Sequence, residues 1–248
     1  MKTKISYIVC AVQRSGSSLL CEALKNTGLA GVPEEYFLYH ENLGNWEQGE
    51  WASSFGVTSR EAYIDLVLQQ GSTENGVFGT KLMWNYFSHV VKAFGEIPAY
   101  HKLSPSALFA AMLENPKYIW IVRKDKVRQA VSWAIAAQTN IYASSHGNIE
   151  DYLYKLKFDY EQINLLHHLV LEGEAGWYNY FQSNGIQPFK VIYEELVENY
   201  EKTGLDILEF LGIERPEKLY FSKRGLKKQA TQINDEWVEK YLTSNPSD

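Results

Sequence analysis

Four short apolar runs punctuate the chain: Ile5–Val12, Val77–Leu82, Tyr118–Val122 and Phe189–Tyr193. Each is bounded by polar residues and is too short for a helix, the mark of a strand buried on both faces. Between them the apolar positions recur at helical spacing. Leu19, Leu20, Ala23 and Leu24 form one stripe after the first run, and Asn26, Thr27 and Gly28 supply its stop signal. Val127, Ala130, Val131, Ala134 and Ile135 form another after the third run. Strands alternating with helices predict an α/β fold with a parallel sheet and helices on its faces.

The remaining stretches fill in that plan. Residues 150 to 181 read as helical with a break near Gly173 to Gly176. A last short helix is expected with Asn234 as N-cap and Asp235 and Glu236 in its first turn, before a frayed tail at Ser244–Asp248. Residues 30–57, rich in aromatics and acids and without clear period, read as a long loop or loose lid. No repeat or low-complexity linker divides the 248 residues, so one domain over 1–248 is expected.

In a sheet of this kind ligands sit at the carboxyl ends of the strands. After the first strand comes Gln13-Arg14-Ser15-Gly16-Ser17-Ser18, and then a helix begins. A small-residue turn entering a helix aims backbone N–H groups at an anion. Arg14 adds a fixed positive charge, Ser15, Ser17 and Ser18 add hydroxyls, and Gly16 permits close backbone approach. The plainer alternative is a tight turn with Ser17 or Ser18 as N-cap. The stretch is not a Walker A loop, because Gly16 is followed by Ser17 where that loop requires lysine; this weighs against an ordinary ATPase or kinase.

The third strand repeats the logic. Arg123 stands at its end, and Asp125, Arg128 and Ser132 share one polar face at i, i+3 and i+7. An arginine fork with a serine hydroxyl can hold a second phosphate; the alternative is an Asp–Arg pair on a solvated face. Two such sites imply a ligand with two separated anionic groups. The basic stretch Lys223-Arg224 and Lys227-Lys228 either closes over that ligand or is simply solvated. Lys81, Trp84 and Asn85 lie at the end of the second strand, where Lys81 can reach an anion and Trp84 can stack on a ring or pack in the core.

Composition narrows the partners. A net charge of −6 gives no reason to expect nucleic acid or an anionic membrane. No run reaches the ~18 apolar residues of a membrane span, and the N-terminus lacks a signal-cleavage pattern. Cys10 and Cys21 read as small buried hydrophobes, and a reducing cytoplasm is the expected home. The histidines are scattered, with His167 and His168 adjacent on one helix and pointing apart, so no metal site is expected.

These segments resemble a known family. The first loop is similar to the phosphosulfate loop of sulfotransferases that use 3′-phosphoadenosine 5′-phosphosulfate (PAPS). Residues 118–132 resemble the segment that binds the 3′-phosphate there, and VIYEEL (191–196) a strand those enzymes share. More narrowly, QRSGSSLL, GVPEEYF, GTKLMWN, VRKDKVRQAVSWAIAAQT and QATQINDEWVEKY, in that order between residues 13 and 241, resemble the bacterial trehalose 2-sulfotransferase family. The resemblance implies a P-loop-like sulfotransferase fold, PAPS as sulfonate donor, and a carbohydrate hydroxyl as acceptor; we expect that acceptor to be a small sugar or a lipid-linked one. It places Arg14, Ser15, Gly16, Ser17 and Ser18 on the 5′-phosphosulfate and Arg123 and Ser132 on the 3′-phosphate. It makes Glu35 the general base. Beside these we expect Lys81 at the sulfonate, Lys228 at the nucleotide, and Glu34, Tyr36, Phe37, Trp84 and Asn85 around the acceptor. Glu34 and Arg128 depart from the family pattern. A hydroxyl on a polyketide or lipid chain remains as alternative acceptor, and a P-loop-type nucleotide kinase or NTPase, or a non-catalytic nucleotide-binding module, as alternative functions. A homodimer is left open.

Overall fold

The computed structural model describes residues 3–37, 56–57, 59–142, 147, 149–217, 219, 221–222, 224–226 and 231–244. Its strands are β1 (Ile5–Ala11), β2 (Val77–Met83), β3 (Lys117–Val122) and β4 (Phe189–Ile192). They form one sheet in the order β2-β1-β3-β4, and every pairing is parallel. The four apolar runs therefore become four strands within a residue or two of their expected ends.

β1 leads into α1 (Ser17–Asn26), and α2 (Arg60–Gln70) precedes β2. α3 (Trp84–Gly95) and α4 (Pro105–Met112) join β2 to β3. α5 (Lys126–Thr139) and the long α6 (Tyr160–Ser183) join β3 to β4, followed by α7 (Tyr193–Glu198), α8 (Tyr200–Leu211) and α9 (Gln232–Thr243). Strand alternation sorts the core into two layers. Ile8, Cys10 and Val12 pack with Phe87, Phe94, Leu108, Val170 and Trp177 on one face. Tyr7, Val9 and Ala11 pack with Leu20, Leu24, Ile207 and Leu208 on the other. A third cluster joins α5, α6 and α9 through Val131, Ile135, Ile163 and Trp237. Both cysteines are free and buried, as their surroundings in the sequence suggested.

Three local expectations are corrected. Residues 160–183 form a single helix, with no break at Gly173 or Gly176. The glycines serve close packing instead: a Cβ on Gly173 would stand 2.8 Å from Val12 Cγ2, and one on Gly176 2.1 Å from Trp84 Cε2. This lets Trp177, fully buried, donate from Nε1 to the Ala11 carbonyl at 3.0 Å and fasten α6 to the end of β1. Gly176→Ala is accordingly expected to cost about 1–3 kcal/mol by overpacking. Urea unfolding checks this, and an unshifted midpoint would contradict the packing. The N-cap of α9 is Thr231 rather than Asn234, which sits at N3 and accepts from the Thr231 N–H at 2.9 Å, closing a capping box. The N-cap of α1 is Gly16, not Ser17 or Ser18; no side chain caps that helix end.

Candidate active site

The turn after β1 is built to expose donors. Arg14 has φ 61° and Gly16 φ 93°, two left-handed residues within three positions. A Cβ on Gly16 would meet Tyr193 Cδ2 at 2.2 Å, so this place in the chain has room only for glycine. Arg14 turns back across the sheet end: its Nε donates to Ser132 Oγ at 3.1 Å, and its Nη1 donates to the Tyr142 carbonyl. Arg123 comes from the end of β3 to the same corner. Its Nη1 donates to the Arg14 carbonyl at 3.4 Å, and its guanidinium lies 4.8 Å from the centre of the Tyr193 ring. The two sites expected separately are thus one continuous cationic corner, linked by Arg14 and Ser132.

Electrostatics show what that corner is short of. Burial, and then the charge of Arg123, push Arg14 down to about 10. Burial likewise lowers Arg123. Both remain cationic at neutral pH, so two desolvated positive charges lie side by side. Ser15 Oγ and Arg123 Nε are buried there with no hydrogen-bond partner among the described residues. Unmatched donors beside paired cations fit a ligand carrying more than one negative charge. Ser17 is buried in the first turn of α1, and Ser18 is exposed.

Supporting contacts hold the corner in shape. Asp125 caps α5 by accepting from Arg128 N–H at 2.8 Å, and Arg128 pairs with Asp125 and with Asp235 of α9. Arg128 is therefore an ion-paired strut, the alternative reading of that polar face. Lys126 donates to the Arg123 carbonyl and to Glu174. Gln129 is fully buried and donates from Nε2 to the Gln13 carbonyl at 2.7 Å, fixing the peptide before Arg14. Glu194 accepts from the Lys124 N–H at 3.0 Å. Sequence reasoning missed Tyr193 and Gln129. An aromatic directly after a buried strand was the available signal for Tyr193; Gln129 reads as any polar helix residue.

The start of the expected lid is well placed. Glu34 forms a single parallel bridge to Thr80, with its carbonyl accepting from Lys81 N–H at 2.9 Å and Thr80 Oγ1 at 3.1 Å. This lays Glu35 against the edge of β2, where its carboxylate meets Lys81 Nζ at 2.8 Å. The Lys81 side chain is 7% exposed and that of Glu35 29%, so the pair is sheltered with the carboxylate on its open side. Burial opposes the Lys81 charge, but Cys21, Glu35 and Glu34 outweigh it and raise its pKa. The neighbouring Glu34 turns outward to Lys25, a surface pair. Adjacent acids thus occupy opposite environments.

Four of the residues expected around the acceptor are placed otherwise or only partly so. Phe37 is 2% exposed and packs edge-on against Tyr63 and Phe94, so it anchors the loop in the core. Tyr36 donates its hydroxyl to the Val32 carbonyl at 2.8 Å and leans on Phe78. Trp84 stacks on Phe87 at 5.0 Å and meets Trp177 edge-on, which makes it a packing residue under Gly176. Asn85 is exposed, and its Oδ1 accepts from Gln13 Nε2 at 2.5 Å beside the anion loop. Residues 38–55 of the lid, and Lys223, Lys227 and Lys228, lie outside the described residues. Arg224 is described, 5.5 Å from the centre of the Tyr200 ring. Among the described residues no cluster of three metal-ligating side chains occurs, and no helix is long and apolar enough to cross a membrane.

The model of the family described as Stf0 sulphotransferase matches residues 6–244. The chain belongs to the Stf0 sulphotransferase family. It is similar to the trehalose 2-sulfotransferase of Mycolicibacterium smegmatis, 32% identical over 95% of this chain and 94% of that protein. It is also similar to the trehalose 2-sulfotransferase of Mycobacterium tuberculosis, 30% identical over 97% of this chain and 95% of that one. Among solved structures, a sulfotransferase from Alicyclobacillus acidocaldarius superposes with TM-score 0.53 at 14% identity, covering 97% of this chain and 92% of its own. That likeness establishes the shared fold. As an Stf0 sulphotransferase the chain is an enzyme that transfers a sulfonate group, which leaves no place for the kinase and non-catalytic alternatives.

Proposed function

We propose that this Stf0 sulphotransferase moves the sulfonate of PAPS to a hydroxyl of a sugar acceptor, with trehalose as the first candidate. The observation that carries the donor assignment is the corner of Arg14 and Arg123 with the unmatched Ser15 Oγ and Arg123 Nε. Those residues fit a nucleotide with phosphates at two positions. The names of the two relatives, together with a sheltered carboxylate at the open side of the site, support the sugar hydroxyl. PAPS supplies an activated sulfonyl group on a phosphate leaving group.

The chain's residues then divide the work. Ser15, Gly16, Ser17 and Ser18 offer backbone and hydroxyl donors at the N-terminus of α1, where partial positive charge favours an anion. Arg14 opposes the negative charge that builds on the leaving oxygen, and Arg123 with Ser132 orients the second phosphate. Glu35 takes the proton of the attacking hydroxyl as the new S–O bond forms and the bond to the leaving phosphate breaks. Lys81 pairs with Glu35 and stands ready for the sulfonate oxygens. A sulfonyl group carries less charge than a phosphoryl group, so these cations suffice for it.

Incubation with PAPS and trehalose, followed by mass spectrometry, tests the proposal. The expected product is trehalose carrying one added SO₃, with turnover unchanged by EDTA. Transfer only to a lipid or polyketide hydroxyl would replace the acceptor half of the reading. Loss of turnover on chelation would contradict the donor half.

A further inference from the structure

β3 and β4 leave the sheet side by side, because Val122 pairs with Ile192 in parallel register. The residues that follow on the two strands therefore meet as neighbours. Arg123 lays its guanidinium 4.8 Å from the centre of the Tyr193 ring. One residue further on, Glu194 accepts from the Lys124 N–H with both carboxylate oxygens, at 3.1 and 3.0 Å, and from the Asp125 N–H at 3.5 Å. The peptide between Arg123 and Lys124 is thus held at both ends. Glu194 takes its N–H, and the ammonium of Lys126, itself paired with Glu174 of α6, donates to its carbonyl. The sheet ends before this peptide, so two ions satisfy its backbone groups where a strand no longer does. The Arg123 side chain itself is left open. Among the described residues its guanidinium donates one hydrogen bond, at 3.4 Å to the Arg14 carbonyl, and its Nε is buried with none. An acid gripping the guanidinium directly would compete with an anionic ligand, whereas Glu194 acts one peptide away. Burial lowers the Arg123 pKa, and Tyr193, Glu194 and Asp125 offset part of that.

We propose that Glu194 is a positioning residue: by fixing the Arg123–Lys124 peptide it aims the Arg123 guanidinium at the second phosphate of the donor. It thereby sets how strongly the site prefers a nucleotide with two separated phosphates over one with a single 5′-phosphate. Arginine recognises phosphate through two parallel N–H donors, so its grip depends on the plane of the fork. Here that plane follows from the stack on Tyr193 and from the direction in which the held peptide sends the side chain. Without the Glu194 carboxylate the Lys124 N–H loses its acceptor, the peptide turns to find another, and the fork turns with it. Plain electrostatics gives the opposite sign, because removing an acid beside an anion site strengthens anion binding. This inference rests on the proposed function, in which Arg123 meets the second phosphate.

The test is titration of adenosine 3′,5′-bisphosphate and of adenosine 5′-monophosphate into the wild type, Glu194→Ala, Glu194→Gln and Glu195→Ala. In Glu194→Ala the bisphosphate affinity is expected to fall about tenfold while the monophosphate affinity stays within about twofold. Glu194→Gln keeps the shape and one acceptor oxygen, so a loss of about threefold is expected there; it carries the test if the alanine variant does not fold. Glu195 pairs with the exposed Lys124 ammonium at 2.9 Å, and its removal should change neither affinity. A merely structural Glu194 would lower the melting temperature and leave the ratio of the two affinities at its wild-type value. An unchanged ratio, tighter bisphosphate binding, or an equal loss in Glu195→Ala overturns the inference and leaves the proposed function standing. A wild-type protein that binds the two nucleotides equally overturns the two-phosphate donor site and this inference with it.

Discussion

Arg14→Ala is expected to lower kcat/KM for sulfonate transfer by about 10³-fold without lowering the melting temperature. The loss follows from removing the charge nearest the leaving oxygen in a water-poor corner, where a preorganised donor is worth most. The stability half follows from the cost of holding that charge. Burial and Arg123 both disfavour the Arg14 cation in the folded protein. Its removal relieves one desolvated charge and the repulsion, against the lost bonds to Ser132 and the Tyr142 carbonyl. Arg14→Gly sharpens the test, because Arg14 sits at φ 61°. A left-handed non-glycine residue costs about 1–2 kcal/mol, so the glycine variant should melt above the alanine variant while transferring no faster. Equal transfer by either variant and the wild type would remove Arg14 from the site.

Glu35→Gln is expected to slow transfer by about 10²–10⁴-fold and, unlike the Arg14 variants, to destabilise the fold. Lys81 is buried and owes part of its raised pKa to Glu35. With a neutral glutamine, its ammonium keeps the burial penalty and loses its closest counter-charge. Breaking a fully buried pair costs about 3–5 kcal/mol; with Glu35 29% exposed, solvent screening reduces this to about 1–3 kcal/mol. The pH dependence has a defined sign. In the wild type the folded-state pKa of Lys81 lies above its unfolded value of 10.5, so its stabilisation is complete below 10.5 and is lost above. In the variant the folded value drops, and the resulting penalty at neutral pH fades as pH rises toward 10.5, where the unfolded chain also sheds the proton. Urea unfolding near neutral pH and again near pH 10 should show the gap between the two proteins narrowing. A gap independent of pH would mean that Lys81 does not depend on Glu35. Glu35→Gln/Lys81→Met should recover stability and remain inactive.

The sheet was legible because fully buried parallel strands write themselves as apolar runs between polar ends. The rule that ligands gather at strand ends then led to Arg14, Arg123 and Lys81 without any packing information. What stayed hidden depended on contacts between distant residues. Gly173 and Gly176 look like breaks in a linear string, yet they are where α6 passes over Val12 and Trp84. Asn234 carries a cap-forming side chain, but Thr231 three residues earlier completes a capping box that uses it. Phe37 follows Glu35 by two positions, and only the fold shows that it turns into the core. The two-site picture likewise merged into one corner because β1 and β3 are neighbours in the sheet, a pairing that periodicity does not specify. Gln129 carries no motif, and its meaning comes from the Gln13 carbonyl that β1 brings beside it.

Direct titration with adenosine 3′,5′-bisphosphate, run alongside ATP with and without Mg²⁺, tests the central claim most closely. Metal-independent binding of the bisphosphate that is lost in both Arg14→Ala and Arg123→Ala is the predicted result. Binding of ATP only with Mg²⁺, or bisphosphate binding that survives both substitutions, would contradict a site built on these two arginines.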